Sequence, residues 1–130
     1  MTVVDASVMV ASLIESNPIG DWADSVVLGS LAAPHHMPAE VTNILRRSLL
    51  AGDIAEDIAT AAHDELLQHR IELYPYAPLA ERVWELRSNI TAYDAWYVAL
   101  AEALGVKLAT LDVRLARASG PRCEFLTPDI

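Results

Sequence analysis

At 130 residues the chain can bury one core of its own, and an apolar share of 53% excludes a disordered chain. A formal net charge of −9 excludes nucleic-acid binding through bulk charge, so any contact with RNA needs bound cations, a few placed arginines or a partner. No apolar run approaches the roughly 18 residues of a membrane span; residues 1–16 lack a basic n-region and carry Asp5, so no signal peptide is expected, and the single cysteine, Cys123, forms no internal disulfide or cysteine zinc site.

The expectation is a cytoplasmic protein with residues 1–130 in one domain. Thr2–Asp5 is a short β-rich run ending in an acid, and Ala6 to Glu15 reads as helix. Asn17-Pro18-Ile19-Gly20 reads as a turn, with a helix from Asp21 to Gly29. Leu31–Pro34 is a weak strand candidate, and His35-His36-Met37-Pro38 a loop. Pro38 suits a first helical position and opens a helix to about Ala51. Gly52 ends it, and Asp53 is expected to cap a helix to about His69. Ile71–Tyr74 reads as a strand and Ala77–Ser88 as a helix. A further helix, Thr91 to Leu104, is followed by a strand at Val106–Leu111. A short helix opened by Asp112 and a last strand at Glu124–Leu126 complete the order. Strands alternating with helices predict a three-layer α/β/α fold: a short parallel sheet of four to five strands flanked by helices.

The Thr91–Leu104 stretch, TAYDAWYVALAEAL, is the most informative. Thr91 suits its start and Gly105 its end, and only Asp94 and Glu102 are charged between them. A helix apolar on nearly all sides is buried. Asp94 therefore needs a partner, because an unpaired carboxylate out of water is costly.

Asp94 is one of four comparable acids. Asp5 ends the first strand, Glu40 lies in the first turn of the helix after the second, and Asp112 follows ATL at the end of the fourth. Strand C-termini and helix N-termini share one edge of a parallel sheet, where ligands bind. Each acid also has a local explanation as a helix cap or a dipole partner, and Asp21 and Asp53 are placed in the same way. Asp5, Asp94 and Asp112 emerge from the most apolar stretches, which predicts carboxylates near the core and near one another. Such a cluster raises its own pKa values unless a cation holds it ionised, and Mg²⁺ or Mn²⁺ suits oxygen ligands.

VVDAS near the start, PAEV before a helix and NITAYDAWYVALAEALGVKLATLD together resemble a PIN-domain protein. More narrowly, they resemble the VapC-type ribonuclease toxins of toxin–antitoxin pairs. The resemblance covers nearly the whole chain. It implies a PIN-like fold and a Mg²⁺-dependent endoribonuclease, with Mn²⁺ as a substitute, whose catalytic and metal-binding residues are Asp5, Glu40, Asp94 and Asp112. Ser7 and Thr110 flank two of them. It further implies RNA as substrate, products with 5′-phosphate and 3′-hydroxyl ends, a cognate antitoxin as partner and a homodimer. Arg114 and Arg117 are candidates for the rim, with Arg46, Arg47 and Arg87 behind them. His35 and His36 read as turn residues, His63 and His69 as surface residues, and Trp22, Trp84 and Trp96 as core or interface residues.

Apolar residues on the Val41–Leu50 and Leu79–Arg87 helices exceed one buried stripe and hint at an interface. The alternative is a non-catalytic PIN-like module that binds RNA or a partner. A receiver-type phospho-acceptor needs paired acids after the first strand and a late lysine after a strand. Asp5 stands alone there, and Lys107 precedes its strand residues. No DxD motif supports a phosphatase, and no GxGxxG or GxxxxGK[ST] supports a nucleotide cofactor.

Overall fold

The computed structural model describes residues 1–129. Five parallel strands form one sheet in the order β3-β2-β1-β4-β5, with β1 Thr2–Val4, β2 Leu31–Pro34, β3 Ile71–Tyr74, β4 Leu108–Ala109 and β5 Phe125–Leu126. Val3 pairs with Ala32 on one side and Leu108 on the other, so β1 is central. Val3, Val4 and all four residues of β2 are buried, as strands covered on both faces require.

The helices are α1 (Ala6–Ile14), α2 (Pro18–Val27), α3 (Met37–Leu50), α4 (Glu56–Gln68), α5 (Ala80–Glu85), α6 (Ala92–Leu104) and α7 (Val113–Ala116). Helix α1 packs on α2, α3 and α4 as one group. Helices α5 and α6 form another, with α6 lying on β1, β2 and β4. The architecture is the expected three-layer α/β/α fold. Among the described residues no helix is long and apolar enough to cross a membrane.

Helix α6 forms where its sequence predicts. Thr91 is extended, and its hydroxyl accepts the Asp94 N–H at 3.2 Å. Gly105 takes the left-handed conformation at φ 66°, and the Val106 N–H returns to the Ala101 carbonyl at 3.0 Å. Ala95, Tyr97, Val98, Ala99, Leu100 and Ala101 are buried. Partly buried Glu102 is held by Arg82 of α5, which donates to its two oxygens at 2.7 and 3.1 Å and to the Gly120 carbonyl at 2.9 Å.

Four boundaries differ from the sequence reading. Helix α2 starts at Pro18, because Asn17 accepts the Gly20 N–H at 2.9 Å and Pro18 is preorganised for a first helical position. Asp53 does not cap α4. Its N–H closes the end of α3 on the Ser48 carbonyl at 2.9 Å, and α4 begins three residues later with no side-chain cap. The Ala77–Ser88 segment is a 3-10 turn at Ala77–Leu79 followed by the six-residue α5. The strand expected over Val106–Leu111 narrows to Leu108–Ala109, because Val106 is used in closing α6.

Candidate active site

The first connection carries the chain from β1 to β2 on one side, and a later one returns it past β1 to β4 on the other. The crevice between β1 and β4 is thus the switch point where open α/β sheets bind ligands. Asp5 stands there. It caps α1 through the Val8 N–H at 3.1 Å and is 8% exposed. Ser7 Oγ donates to Oδ1 at 2.5 Å, and the fully buried Thr110 donates its hydroxyl to Oδ2. Thr110 Oγ1 also accepts the Asp112 N–H, and Ser7 Oγ the Leu111 N–H. The two hydroxyls therefore tie the end of β4 to the start of α1. Burial pushes the Asp5 carboxyl up to about 6, against the lowering effect of the Ser7, Thr110 and Val8 hydrogen bonds.

Asp94 and Asp112 line one cleft of about 570 Å³, together with Arg87, Thr91 and Arg114. Asp112 is exposed and uses Oδ1 to cap α7, accepting the Arg114 and Leu115 N–H groups at 2.9 and 3.2 Å. The expectation that it lies near the core therefore fails. A residue at the mouth of a cleft is more exposed than the strand that leads to it. Asp94 is partly buried, beside the Thr91 hydroxyl that caps its helix. Burial raises its pKa first, and the charges of Asp112 and Glu40 raise it further. Thr91 and His36 oppose this and are outweighed. The Thr91 cap is therefore outweighed, and the Asp94 pKa stands above its ordinary value.

Glu40 lies in the first turn of α3 and reaches α6. Tyr97 donates its hydroxyl to Glu40 Oε1 at 2.9 Å. His36 Nε2 is 2.6 Å from the same oxygen, and its Nδ1 is buried without a hydrogen-bond partner. Burial pushes the Glu40 carboxyl up, but the His36 and Tyr97 contacts outweigh it and leave the pKa below the ordinary value. Neither Tyr97 nor His36 was expected here. The only sequence signals are spacings: Tyr97 is three residues after Asp94, and His36 four before Glu40.

The PIN-domain family model matches residues 2–121. The chain belongs to the PIN-domain family. This PIN-domain chain is 46% identical over 130 residues to Ribonuclease VapC1 of Mycobacterium tuberculosis, covering 95% of the chain and 94% of that protein. It is 36% identical over 123 residues to VapC ribonuclease Mb0985 of Mycobacterium bovis, covering 95% and 94%. In fold it matches the structure of VapBC2 from Rickettsia felis bound to a DNA fragment from their promoter, with a TM-score of 0.70 at 15% identity and 97% of each chain covered.

The PIN-domain acids share one edge without forming a closed cage. Among the described residues no group of three or more Asp, Glu, His or Cys side chains converges tightly enough to enclose a metal ion. The donors are all carboxylate oxygens, which suits a hard cation and not a thiolate-seeking one. Asp112 and Glu40 each keep one oxygen free of hydrogen bonds, and Asp94 lines the same cleft as Asp112. That set fits a partly hydrated Mg²⁺, which takes one or two carboxylates and keeps several waters.

The other sequence candidates separate. Arg87 and Arg114 line the cleft, but Arg117 lines a different hollow with Ile19 and Phe125. Arg46 lies between α3 and α4, beside His63. Trp84 is not in the core. It is 66% exposed, with the Arg87 guanidinium 4.5 Å from its ring centroid.

Proposed function

We propose that this PIN-domain chain is a Mg²⁺-dependent endoribonuclease, with Mn²⁺ as a substitute, and the toxin of a toxin–antitoxin pair. The observation that carries this reading is Asp94: it is partly buried and repelled by Asp112 and Glu40, and Thr91 and His36 do not offset this. The 46% identity with a named ribonuclease over nearly the full chain supports RNA as the substrate.

Asp5, Asp94 and Asp112 would hold the cation, directly or through water, with Glu40 completing the shell or orienting the attacking water. When bound, the cation supplies an acidified water and stabilises charge on the phosphoryl oxygens. The remaining work falls to the chain. Ser7 and Thr110 fix both Asp5 oxygens, so this carboxylate does not rotate. Arg87 and Arg114 at the cleft position the RNA backbone through phosphate contacts, which a chain of net charge −9 needs. Glu40 Oε2, free of hydrogen bonds, can accept the proton of the attacking water. Attack by water that breaks the P–O3′ bond releases the 3′-oxygen, which takes up a proton, and leaves a 5′-phosphate and a 3′-hydroxyl.

A cognate antitoxin is the protein partner, supported by the fold match to a VapBC2 structure. A homodimer is supported by the exposed Trp84 and Leu50 on the helices that carry surplus apolar residues. The second reading, a non-catalytic RNA- or partner-binding module, is favoured by the absence of a closed metal cage among the described residues. One assay separates the two. Purified chain should cleave RNA with Mg²⁺, stop with EDTA and recover with added Mg²⁺ or Mn²⁺. Equal cleavage by wild type and Asp94→Asn would sink the catalytic assignment.

A further inference from the structure

We infer that Tyr97 and His36 are positioning residues, which grip Glu40 by its Oε1 oxygen and leave Oε2 for the reaction. The existence of the grip rests on geometry, and its catalytic consequence rests on the ribonuclease reading above. Tyr97 is 2% exposed, and its hydroxyl crosses from α6 to Glu40, 57 residues away in sequence, at 2.9 Å. A buried tyrosine needs a partner for its hydroxyl, and Tyr97 donates it to Glu40. A carboxylate only accepts, so the phenol is the donor in this pair.

His36 reaches the same oxygen from the other side, at 2.6 Å. Its ring is fixed by stacking on Trp96, with centroids 4.5 Å apart, and by an edge contact with Tyr97 at 5.1 Å. His36 Nδ1 and Trp96 Nε1 are buried without hydrogen-bond partners, and His36 Nε2 faces the Glu40 oxygen. Orphaned polar atoms oppose folding, and two in one aromatic cluster ask for an explanation. A plain link between α3 and α6 needs no such arrangement. An apolar contact would join the helices without burying them. What this one adds is a carboxylate with one oxygen restrained and the other unengaged.

The test uses Tyr97→Phe, which removes one oxygen, and His36→Phe, which keeps the stacked ring and removes both nitrogens. At saturating RNA with Mg²⁺, well below the melting temperature, each should lower kcat about ten- to hundredfold, as misplaced catalytic groups do, with KM within about twofold. A merely structural link would lower the melting midpoint and leave kcat alone. Equilibrium unfolding without divalent cation gives a readout independent of activity. Tyr97→Phe should lower the midpoint in the Glu40 background and leave it unchanged in Glu40→Ala. Wild-type cleavage with Tyr97→Phe equally active overturns the positioning role. An equal loss in both backgrounds overturns the grip itself. A wild type that fails to cleave overturns the ribonuclease reading and the catalytic consequence with it, and the unfolding cycle then decides the grip alone.

Discussion

Thr110 donates its hydroxyl to Asp5 Oδ2 across 105 residues of chain, and both groups are buried. This bond joins the end of β4 to the end of β1, across the crevice where the fold changes direction. Replacing Thr110 by Val keeps the shape and removes the donor. The Asp5 carboxylate is then left short of a partner, at a cost of about 1–3 kcal/mol. Urea unfolding at pH 7.5 without divalent cation should show that loss, and Ser→Ala at position 7, which is less buried, should show less.

Asp5 also sets a pH dependence. Burial raises its folded pKa to about 6 from an ordinary 3.8. The folded chain thus keeps this proton over a range where the unfolded chain has released it. The Asp5 contribution to stability is full below about pH 3.8 and is lost as pH rises through 6. Asp5→Asn should therefore stabilise the metal-free chain at pH 8, by at most about 3 kcal/mol at 1.36 kcal/mol per unit, and bring no gain at pH 3.5. Thermal melting of both proteins at the two pH values measures this, and a constant difference would contradict it.

Asp94→Asn separates stability from activity. Without divalent cation it should melt at or above the wild-type temperature, because it removes a raised-pKa carboxylate repelled by Asp112 and Glu40. Adding Mg²⁺ should raise the wild-type midpoint and leave the variant's unmoved. A variant that melts lower in EDTA would mean that Asp94 stabilises the fold.

The Arg82–Glu102 pair behaves oppositely. Burial pushes the Glu102 carboxyl up, but Arg82 and the Arg122 N–H, 2.7 Å from Oε2, outweigh it and lower its pKa. Its stability contribution is present above the unfolded pKa, near 4.5, and is lost as pH falls through the lowered folded value. Arg82→Ala leaves Glu102 without its guanidinium and should cost about 2–4 kcal/mol at pH 7. The gap from wild type should narrow toward pH 3, which unfolding curves at both pH values can test.

Two glycines should differ in sensitivity. A Cβ on Gly20 would sit 2.3 Å from the Glu15 carbonyl oxygen, so the α1–α2 junction must shift. Gly105 has open space and only a positive φ of 66°. Gly105→Ala should cost about 1–2 kcal/mol and Gly20→Ala more, read as melting shifts.

Strand and helix order, the parallel sheet and helix α6 were legible in the sequence, because they rest on local signals: short apolar runs, Thr91 and Gly105 at helix ends, and period. The acids at strand ends were legible for the same reason, since Asp5, Glu40, Asp94 and Asp112 mark element boundaries. Misplaced boundaries came from residues with two possible uses. Asp53 suits a cap, yet its N–H is taken by the end of α3. Tertiary structure alone decided which acids are buried, which face each other and what holds them. Asp5 is enclosed while Asp112 stays exposed, although both end apolar strands. The partners of Asp5 and Glu40 come from Thr110 and Tyr97, 105 and 57 residues away. Side-chain contacts at that separation depend on how layers pack, and sequence periodicity carries no record of them.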